Sequence, residues 1–307
     1  MIRGLSLPKN LQIAICNELL KNKTGDIMIY ETININIDYE KIGTKGVGFQ
    51  PYMALYLPGN SKEIDLARKR PTMVICPGGG YSMTSDREAE AIALKFIAAD
   101  CNAVILRYDV SPVRFPAQII EVAEVISTLR KNSEKWNVDV NKIGVMGFSA
   151  GGHLAASYST LWNRDFVKEY FGFENGEHKP NGMLLCYPVI TSGEKSHRGS
   201  FDGILGEKVN DPEMMTLVSP EKQVSEDTPP AFIWHTFEDT TVPVENSLMM
   251  AAALAEKKIS TELHIFPHGW HGLSLCNQTV FGPNVSVDHL SEIQIWIDMA
   301  IRWFKNL

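Results

Sequence analysis

The sequence predicts an α/β fold in which a mostly parallel sheet of about eight strands is flanked by helices on both faces. Short apolar stretches bounded by Gly or Pro alternate with longer amphipathic stretches along most of the chain, and this alternation is typical of parallel sheets covered by helices. The composition, 44% apolar and 21% charged, is that of an ordinary globular chain. We therefore expect one domain over residues 1–307, with a segment of uncertain role at 1–50.

Two strand candidates near the start of the chain differ from the later ones. Ile27–Ile37 alternates between apolar and polar residues as a half-buried strand does, and Met53–Leu57 follows a glycine-rich turn, so we expect an antiparallel edge here. The later candidates are short apolar runs, which are typical of buried parallel strands. They are Thr72–Cys76, Ala103–Tyr108, Ile143–Gly147, Met183–Tyr187, Ala231–His235 and Glu262–Phe266.

The helix candidates lie between the strands and cover the sheet. They are Arg87–Ala99, Pro116–Asn132, Ala150–Leu161, Val244–Lys257 and Asp288–Phe304. The stretch Thr191–Gln223, in contrast, contains Gly, Ser, His, Asp and Pro without a long periodic segment. We expect it to form an irregular excursion above the sheet, beside a functional site.

The last helix candidate carries a wider apolar face than packing on one sheet requires. We expect part of this face to be covered by the chain's own N-terminal segment, around Leu11–Leu20, or by a second copy of the chain in a homo-oligomer. One apolar stripe consists of Ile293, Ile297, Ile301 and Phe304, and the second consists of Trp296, Met299 and Trp303.

The charge balance argues against several classes of partner. Lys and Arg number 29 against 36 Asp and Glu, a net charge of −7, without a basic block, so we expect neither nucleic acid nor an anionic membrane. The five cysteines show no paired spacing, which favours reduced thiols. Residues 1–10 lack the apolar stretch of a signal peptide, so a cytoplasmic location is expected. The histidines show no metal-ligand spacing, and we expect no metal or other cofactor.

A G-x-S-x-G motif, Gly147 to Gly151, stands between a predicted buried strand and a predicted helix. In this context the motif indicates a nucleophile elbow, a tight turn that exposes the hydroxyl of Ser149 at the carboxyl edge of the sheet. Ala150 offers a backbone N–H at the N-terminus of the helix. The alternative is a glycine-lined turn in which Ser149 only caps the helix.

A glycine-rich loop, Pro77 to Tyr81, directly follows an earlier strand candidate. Attack on a carbonyl carbon needs donors for the developing oxyanion, and glycines let backbone amides turn towards a substrate. Tyr81 is a candidate contact to the substrate. An ordinary tight turn is one alternative. A phosphate-binding loop is disfavoured, because such a loop would end in Gly-Lys-Ser/Thr, and this one does not.

A nucleophilic serine needs a base and an orienting carboxylate, which in this architecture follow in the order Ser, Asp/Glu, His. Glu238 and Asp239 follow one late strand candidate, and His268 and His271 follow the next. We choose Asp239, and we choose His271 because a glycine and an apolar run follow it. Glu238 and His268 are the rivals.

Two other histidines lie near these motifs. His153 lies one helical turn after Ser149 on the same face, and we interpret it as a supporting or core residue rather than the base. His197 lies in the excursion and is a candidate contact to the substrate.

The chain resembles the α/β-hydrolase superfamily and, within it, the xylanase-associated or carbohydrate acetyl esterases, from about Pro71 to Leu307. The resemblance rests on the loop 77–81, the segment 147–153, and the segment 234–243 with the later His271 and Gly272. One departure is that the glycine-rich loop opens with Pro77, where many lipases carry histidine.

The resemblance implies roles for particular residues and a type of reaction. It assigns Ser149 as the nucleophile, Asp239 as the carboxylate and His271 as the base, and it assigns the oxyanion donors to Gly79 or Gly80 and to Ala150. It implies a metal-independent serine carboxylesterase that acts on a small-molecule ester, an acetylated sugar or xylo-oligosaccharide. The alternatives are a serine peptidase with the same fold and a non-catalytic, hydrolase-like binding protein.

Overall fold

The computed structural model describes residues 28–307, and a single mixed sheet forms its centre. The order across the sheet is β1-β2-β4-β3-β5-β6-β7-β8. The β1–β2 and β2–β4 pairs are antiparallel and the other pairs are parallel, which confirms the predicted antiparallel edge. The strands are β1 (Ile29–Asn34), β2 (Tyr52–Leu57), β3 (Arg70–Cys76), β4 (Asn102–Arg107), β5 (Val138–Phe148), β6 (Gly182–Cys186), β7 (Ala231–Thr236) and β8 (Thr261–Phe266).

Helices cover both faces of this sheet, as the sequence predicts. Helices α2, α3 and α7 pack on one face, and α1 and α8 pack on the other. Within residues 28–307 no helix is long and apolar enough to cross a membrane. The helices are α1 (Glu90–Ala98), α2 (Ala117–Lys131), α3 (Ala150–Leu161), α4 (Asp165–Phe171), α5 (Arg198–Leu205), α6 (Pro212–Leu217), α7 (Glu245–Glu256) and α8 (Trp296–Lys305).

The edge strand β1 is more exposed than its alternating sequence predicts. Only Ile29 and Ile33 of the strand are partly buried, and within residues 28–307 β1 pairs with β2 alone. After the strand, Ile35 enters the core, and the hydroxyl of Tyr39 donates to the buried carboxylate of Asp109 at 2.6 Å. This part of the segment 1–50 therefore closes one edge of the sheet.

The excursion at residues 191–223 contains more regular structure than expected, which corrects the prediction of an irregular segment. It holds α5 and α6 together with two 3₁₀ turns, Gly206–Asn210 and Pro220–Lys222. The carboxylate of Asp211 caps α6 by accepting from the amides of Glu213 and Met214. Helices this short contain too few turns for a periodic pattern to reveal them.

The second apolar stripe of the C-terminal helix packs in part against the sheet. Trp296 is fully buried and stacks on Trp234 of β7, with ring centroids 5.0 Å apart. Trp303 packs against Phe232 of the same strand at 5.9 Å. The segment Leu11–Leu20, proposed as the cover, lies outside the described residues.

Candidate active site

Ser149 occupies a strained turn between β5 and α3. Its φ of +54° lies in the left-handed region, and its amide donates to Cys186 O at 3.0 Å, at the end of β6. The glycines on either side are required by the packing, because a Cβ at Gly147 would collide with the carbonyl of Gly151, and one at Gly151 with the carbonyl of Cys76. The turn has the geometry that the motif predicts.

The structure brings together the three residues that the sequence selects. His271 Nε2 lies 2.7 Å from Ser149 Oγ, and His271 Nδ1 lies 2.6 Å from Asp239 Oδ2. A carboxylate can only accept, so Nδ1 carries the ring proton and Nε2 of the neutral ring accepts from the serine hydroxyl. This arrangement can activate the hydroxyl as a nucleophile.

The buried carboxylate of Asp239 accepts hydrogen bonds at both oxygens. Oδ1 accepts from the amides of Thr241 and Val242, both at 2.9 Å, and Oδ2 accepts from His271 and from His235 Nε2, the latter at 3.2 Å. Burial acts to raise the pKa of Asp239, but the hydrogen bonds from His235 and His271 outweigh it and hold that pKa well below its usual range. The carboxylate is therefore charged at neutral pH.

His235 is a supporting residue that sequence reasoning missed. It is completely buried on β7, and its Nε2 donates to Val242 O at 2.9 Å as well as to Asp239. Its Nδ1 lies 2.8 Å from Ser247 Oγ on α7. The available signal was its position four residues before Asp239, at the end of the strand.

The rival residues pair with each other instead of joining Ser149. His268 Nδ1 lies 2.9 Å from Glu238 Oε1, and both side chains are more than half exposed. The hydrogen bond from His268 lowers the pKa of Glu238. The exposed pair of Glu238 and His268 therefore takes no part in the hydrogen bonds that link Ser149, His271 and Asp239.

The glycine-rich loop passes directly beside Ser149. A Cβ at Gly78 would lie 3.0 Å from Ser149 Cβ, so the loop can approach this closely only with glycine there. Gly79 and Gly80 both have positive φ, +134° and +64°. Within residues 28–307 the amides of these two glycines and of Ala150 donate to no other protein group, which leaves them available to a ligand.

Tyr81 is not placed as a substrate contact, which corrects the expectation for this residue. Its side chain is completely buried, and its hydroxyl donates to His153 Nδ1 at 2.7 Å. The other ring nitrogen of His153 donates to Val218 O, also at 2.7 Å, so the ring is neutral. Burial lowers the pKa of His153 to about 4. The pair anchors the loop to α3, which agrees with a supporting role for His153.

A buried carboxylate connects the glycine-rich loop to the His271 loop. Glu88 accepts from Gly78 N–H at 2.8 Å and from the hydroxyl of Tyr187 at 2.7 Å, and that hydroxyl accepts from Ser274 N–H at 2.9 Å. Burial raises the pKa of Glu88, and the two hydrogen bonds act in the opposite direction. The ring of Tyr187 also packs edge-on against His271 at 5.1 Å.

The second candidate substrate contact, His197, lies half-buried at the start of α5. Its Nδ1 lies 2.8 Å from Ser200 Oγ. Burial is the main cause that lowers the pKa of His197, with a smaller electrostatic contribution from His271, while Asp239 opposes the shift. The excursion therefore borders the site, as the sequence predicts. Among residues 28–307, no group of His, Cys, Asp and Glu is arranged to hold a metal ion.

Fold and site together define an α/β hydrolase, a class to which the similar solved structures also belong. The BD-FAE family model matches residues 53–254, and the chain belongs to this family.

Individual relatives point to ester and xylan chemistry. Endo-1,4-beta-xylanase B of Butyrivibrio fibrisolvens is 40% identical over 76% of this chain and 36% of that protein. Acetylxylan esterase of Xylanibacter ruminicola is 34% identical over 64% of this chain and 39% of that protein. The chain therefore spans less than two-fifths of the length of these curated relatives. The crystal structure of an acetyl ester-xyloside bifunctional hydrolase from Caldicellulosiruptor lactoaceticus matches 90% of this chain and 96% of its own, with 34% identity and a TM-score of 0.73.

Proposed function

We propose that the chain is a serine carboxylesterase that hydrolyses acetyl esters of sugars through an acyl-enzyme. The observation that carries the proposal is the line of hydrogen bonds from Ser149 Oγ to His271 and from His271 to Asp239, at 2.7 and 2.6 Å. Asp239 keeps the imidazole in the tautomer that accepts the serine proton. An acetylxylan esterase and an acetyl ester-xyloside hydrolase among the relatives support acetylated xylo-oligosaccharides as the substrate class.

In the proposed mechanism, His271 accepts the hydroxyl proton as Ser149 Oγ bonds to the acyl carbon, and the carbonyl electrons move to its oxygen. The amides of Gly79, Gly80 and Ala150 donate to that oxyanion. The intermediate collapses when the carbon–oxygen bond to the sugar breaks, and His271 gives its proton to the departing alcohol. Water, deprotonated by His271, then releases acetate and restores the serine.

Covalent labelling tests the nucleophile without assuming a substrate. A fluorophosphonate reacts with activated serines, so the pure protein is expected to take up one label that Ser149→Ala abolishes. The exposed serine at position 286 supplies the control, because Ser286→Ala is expected to label like the natural protein. Equal labelling of the Ser149→Ala protein would contradict the proposed nucleophile.

The substrate class is tested by acetate release from a panel of acetylated saccharides, beside an aminoacyl anilide and 4-nitrophenyl acetate. Hydrolysis of the acetates without cleavage of the anilide is the expected result. Faster turnover of the anilide would instead assign the triad to peptide bonds.

A further inference from the structure

A surface cavity of about 320 Å³ lies between the loops that carry Asp239 and His271. Its volume falls in the range of small-molecule sites, roughly 300–1,000 Å³. The mechanism described above uses none of the side chains in its wall. The lining residues are Glu238, His268, Gly269, Trp270, His289 and Leu290.

The wall of this cavity combines a flat apolar surface with charged hydrogen-bonding groups. The indole of Trp270 is 41% exposed, and it is held from two sides by the rings of Phe281 at 6.1 Å and His289 at 6.3 Å. Nearby, the carboxylate of Glu238 and the imidazole of His268 form an exposed pair at 2.9 Å. A pyranose ring has a face of C–H bonds that packs on an aromatic ring, and hydroxyl groups that bond to carboxylates and imidazoles.

The direction of proton transfer tells which part of an ester lies beside His271. His271 must give its proton to the leaving alcohol oxygen, so the alcohol lies on the His271 side of Ser149. The carbonyl oxygen points the other way, towards the amides of the glycine-rich loop. Trp270 directly precedes His271, and Glu238 directly precedes Asp239. The cavity wall is therefore built from the same two loops that carry Asp239 and His271.

We propose that the cavity is a subsite for the saccharide alcohol, in which a pyranose ring of the leaving group packs on Trp270 and bonds to Glu238 and His268. The inference rests on the proposed esterase function and names the residues that select its leaving group. It gives the substrate a contact in place of Tyr81, which is buried.

The first test compares two esters in the same variants. For each protein, kcat/KM is measured for an acetylated xylo-oligosaccharide and for 4-nitrophenyl acetate, and the ratio of the two values is taken. Trp270→Ala is expected to lower this ratio about tenfold or more, because truncating a central aromatic residue of a binding site costs at least this much. Trp270→Phe keeps an aromatic face and is expected to retain most of the ratio.

Phe237→Ala is the matched control, since Phe237 is 66% exposed on the Asp239 loop and does not line the cavity. Its ratio is expected to equal that of the natural protein. An unchanged ratio in Trp270→Ala, or an equal fall in Phe237→Ala, would overturn the subsite while leaving the esterase function intact. Absence of both aryl acetate hydrolysis and fluorophosphonate labelling would instead overturn the esterase function itself.

A binding measurement separates ground-state recognition from catalysis. Xylotriose, which carries no ester, is titrated into the Ser149→Ala protein and followed by calorimetry and by tryptophan fluorescence. Saturable binding that is lost in the Ser149→Ala, Trp270→Ala double variant supports the subsite. Binding that persists unchanged in the double variant places the sugar elsewhere and contradicts the proposal, and so does the absence of binding.

Discussion

At the scale of single residues, the carboxylate of Asp239 holds His271 in one tautomer while itself accepting from two backbone amides and from His235. Asp239→Asn replaces an acceptor with an amide group that also donates, so His271 loses its orienting partner. We expect kcat for 4-nitrophenyl acetate to fall about 10⁴-fold. Glu238→Gln, one residue earlier, is expected to change kcat only slightly, and a larger loss in Glu238→Gln than in Asp239→Asn would reverse the assignment.

His235 provides a second prediction at this scale, with a pH profile as its readout. His235→Leu removes a donor from Asp239 Oδ2, so the negative charge of Asp239 acts more strongly on His271 and the base becomes easier to protonate. We expect the acid limb of kcat/KM to shift to higher pH and kcat to fall about 10–100-fold, the value of a hydrogen bond to a charged group.

His235→Gln tests whether the donor or the ring is important. Its side-chain amide can still donate to Asp239, and we expect its acid limb to stay near that of the natural protein. A fall in kcat with unmoved acid limbs in both variants would mean that His235 acts only through packing.

At the scale of elements, the glycine-rich loop is held at both ends by buried side chains, Glu88 at Gly78 and His153 at Tyr81. Glu88→Gln keeps the shape of the side chain but can accept from only one of its two donors while presenting its own N–H groups to the other. We expect kcat to fall about tenfold with little change in KM, because displaced oxyanion donors weaken the transition state more than the substrate complex.

Tyr187→Phe removes the second donor of Glu88 and the acceptor of Ser274 N–H but leaves the bond from Gly78 in place, so we expect its kcat to fall with KM unchanged. A rise in KM at constant kcat in Glu88→Gln would contradict a role in positioning the loop. Thermal unfolding of all three proteins checks that the differences arise in the folded state.

We expect the packing of α5 on the glycine-rich loop to limit the size of the acyl group. A Cβ at Gly203 would lie 2.9 Å from Gly80 O and 3.0 Å from Tyr81 Cβ, so no channel for a long chain opens between these elements. In a series of 4-nitrophenyl esters we expect acetate to give the highest kcat/KM, with a steep fall by butyrate, since each methylene changes the rate by roughly 10–200-fold. A preference for octanoate would show a deep acyl pocket instead.

The elbow and the candidate catalytic residues are predictable from sequence because each depends on a local pattern, a G-x-S-x-G turn or a loop after a strand. The side chains that support these residues are not predictable from sequence, because their roles depend on contacts between distant segments. Glu88 meets Tyr187 only when the sheet has assembled, and nothing around Tyr81 reveals that His153 binds its hydroxyl. The contact of Trp296 with Trp234 is hidden for the same reason, since Trp234 lies on a separate strand.

At the scale of the whole molecule, the neutral His153 links stability to pH. Its pKa is about 4 in the folded state and about 6.5 when unfolded, so below pH 6.5 the unfolded chain binds the proton more readily. The stability contributed by the neutral ring is complete above pH 6.5 and is lost as the pH falls to about 4, up to about 3 kcal/mol.

Urea denaturation between pH 7 and 4 measures this dependence. The free energy of unfolding of His153→Gln is expected to fall less over this range than that of the natural protein. The difference between the two proteins gives the contribution of His153 separately from that of the buried carboxylates. If the free energies of unfolding of both proteins fell equally with pH, the acid sensitivity would be assigned to other residues.

The hydrogen bond from Arg87 to the carbonyl of Gly272 joins residues 185 positions apart. During synthesis of the chain this contact can form only after the segment that carries His271 has been made. An emerging chain displays the glycine-rich loop and the elbow long before the segment that carries the base has been made. The indole of Trp296 donates to Ser274 O, so a helix that follows later in the chain supports the loop that carries His271. A chain synthesised only as far as the elbow therefore presents Ser149 without His271 beside it.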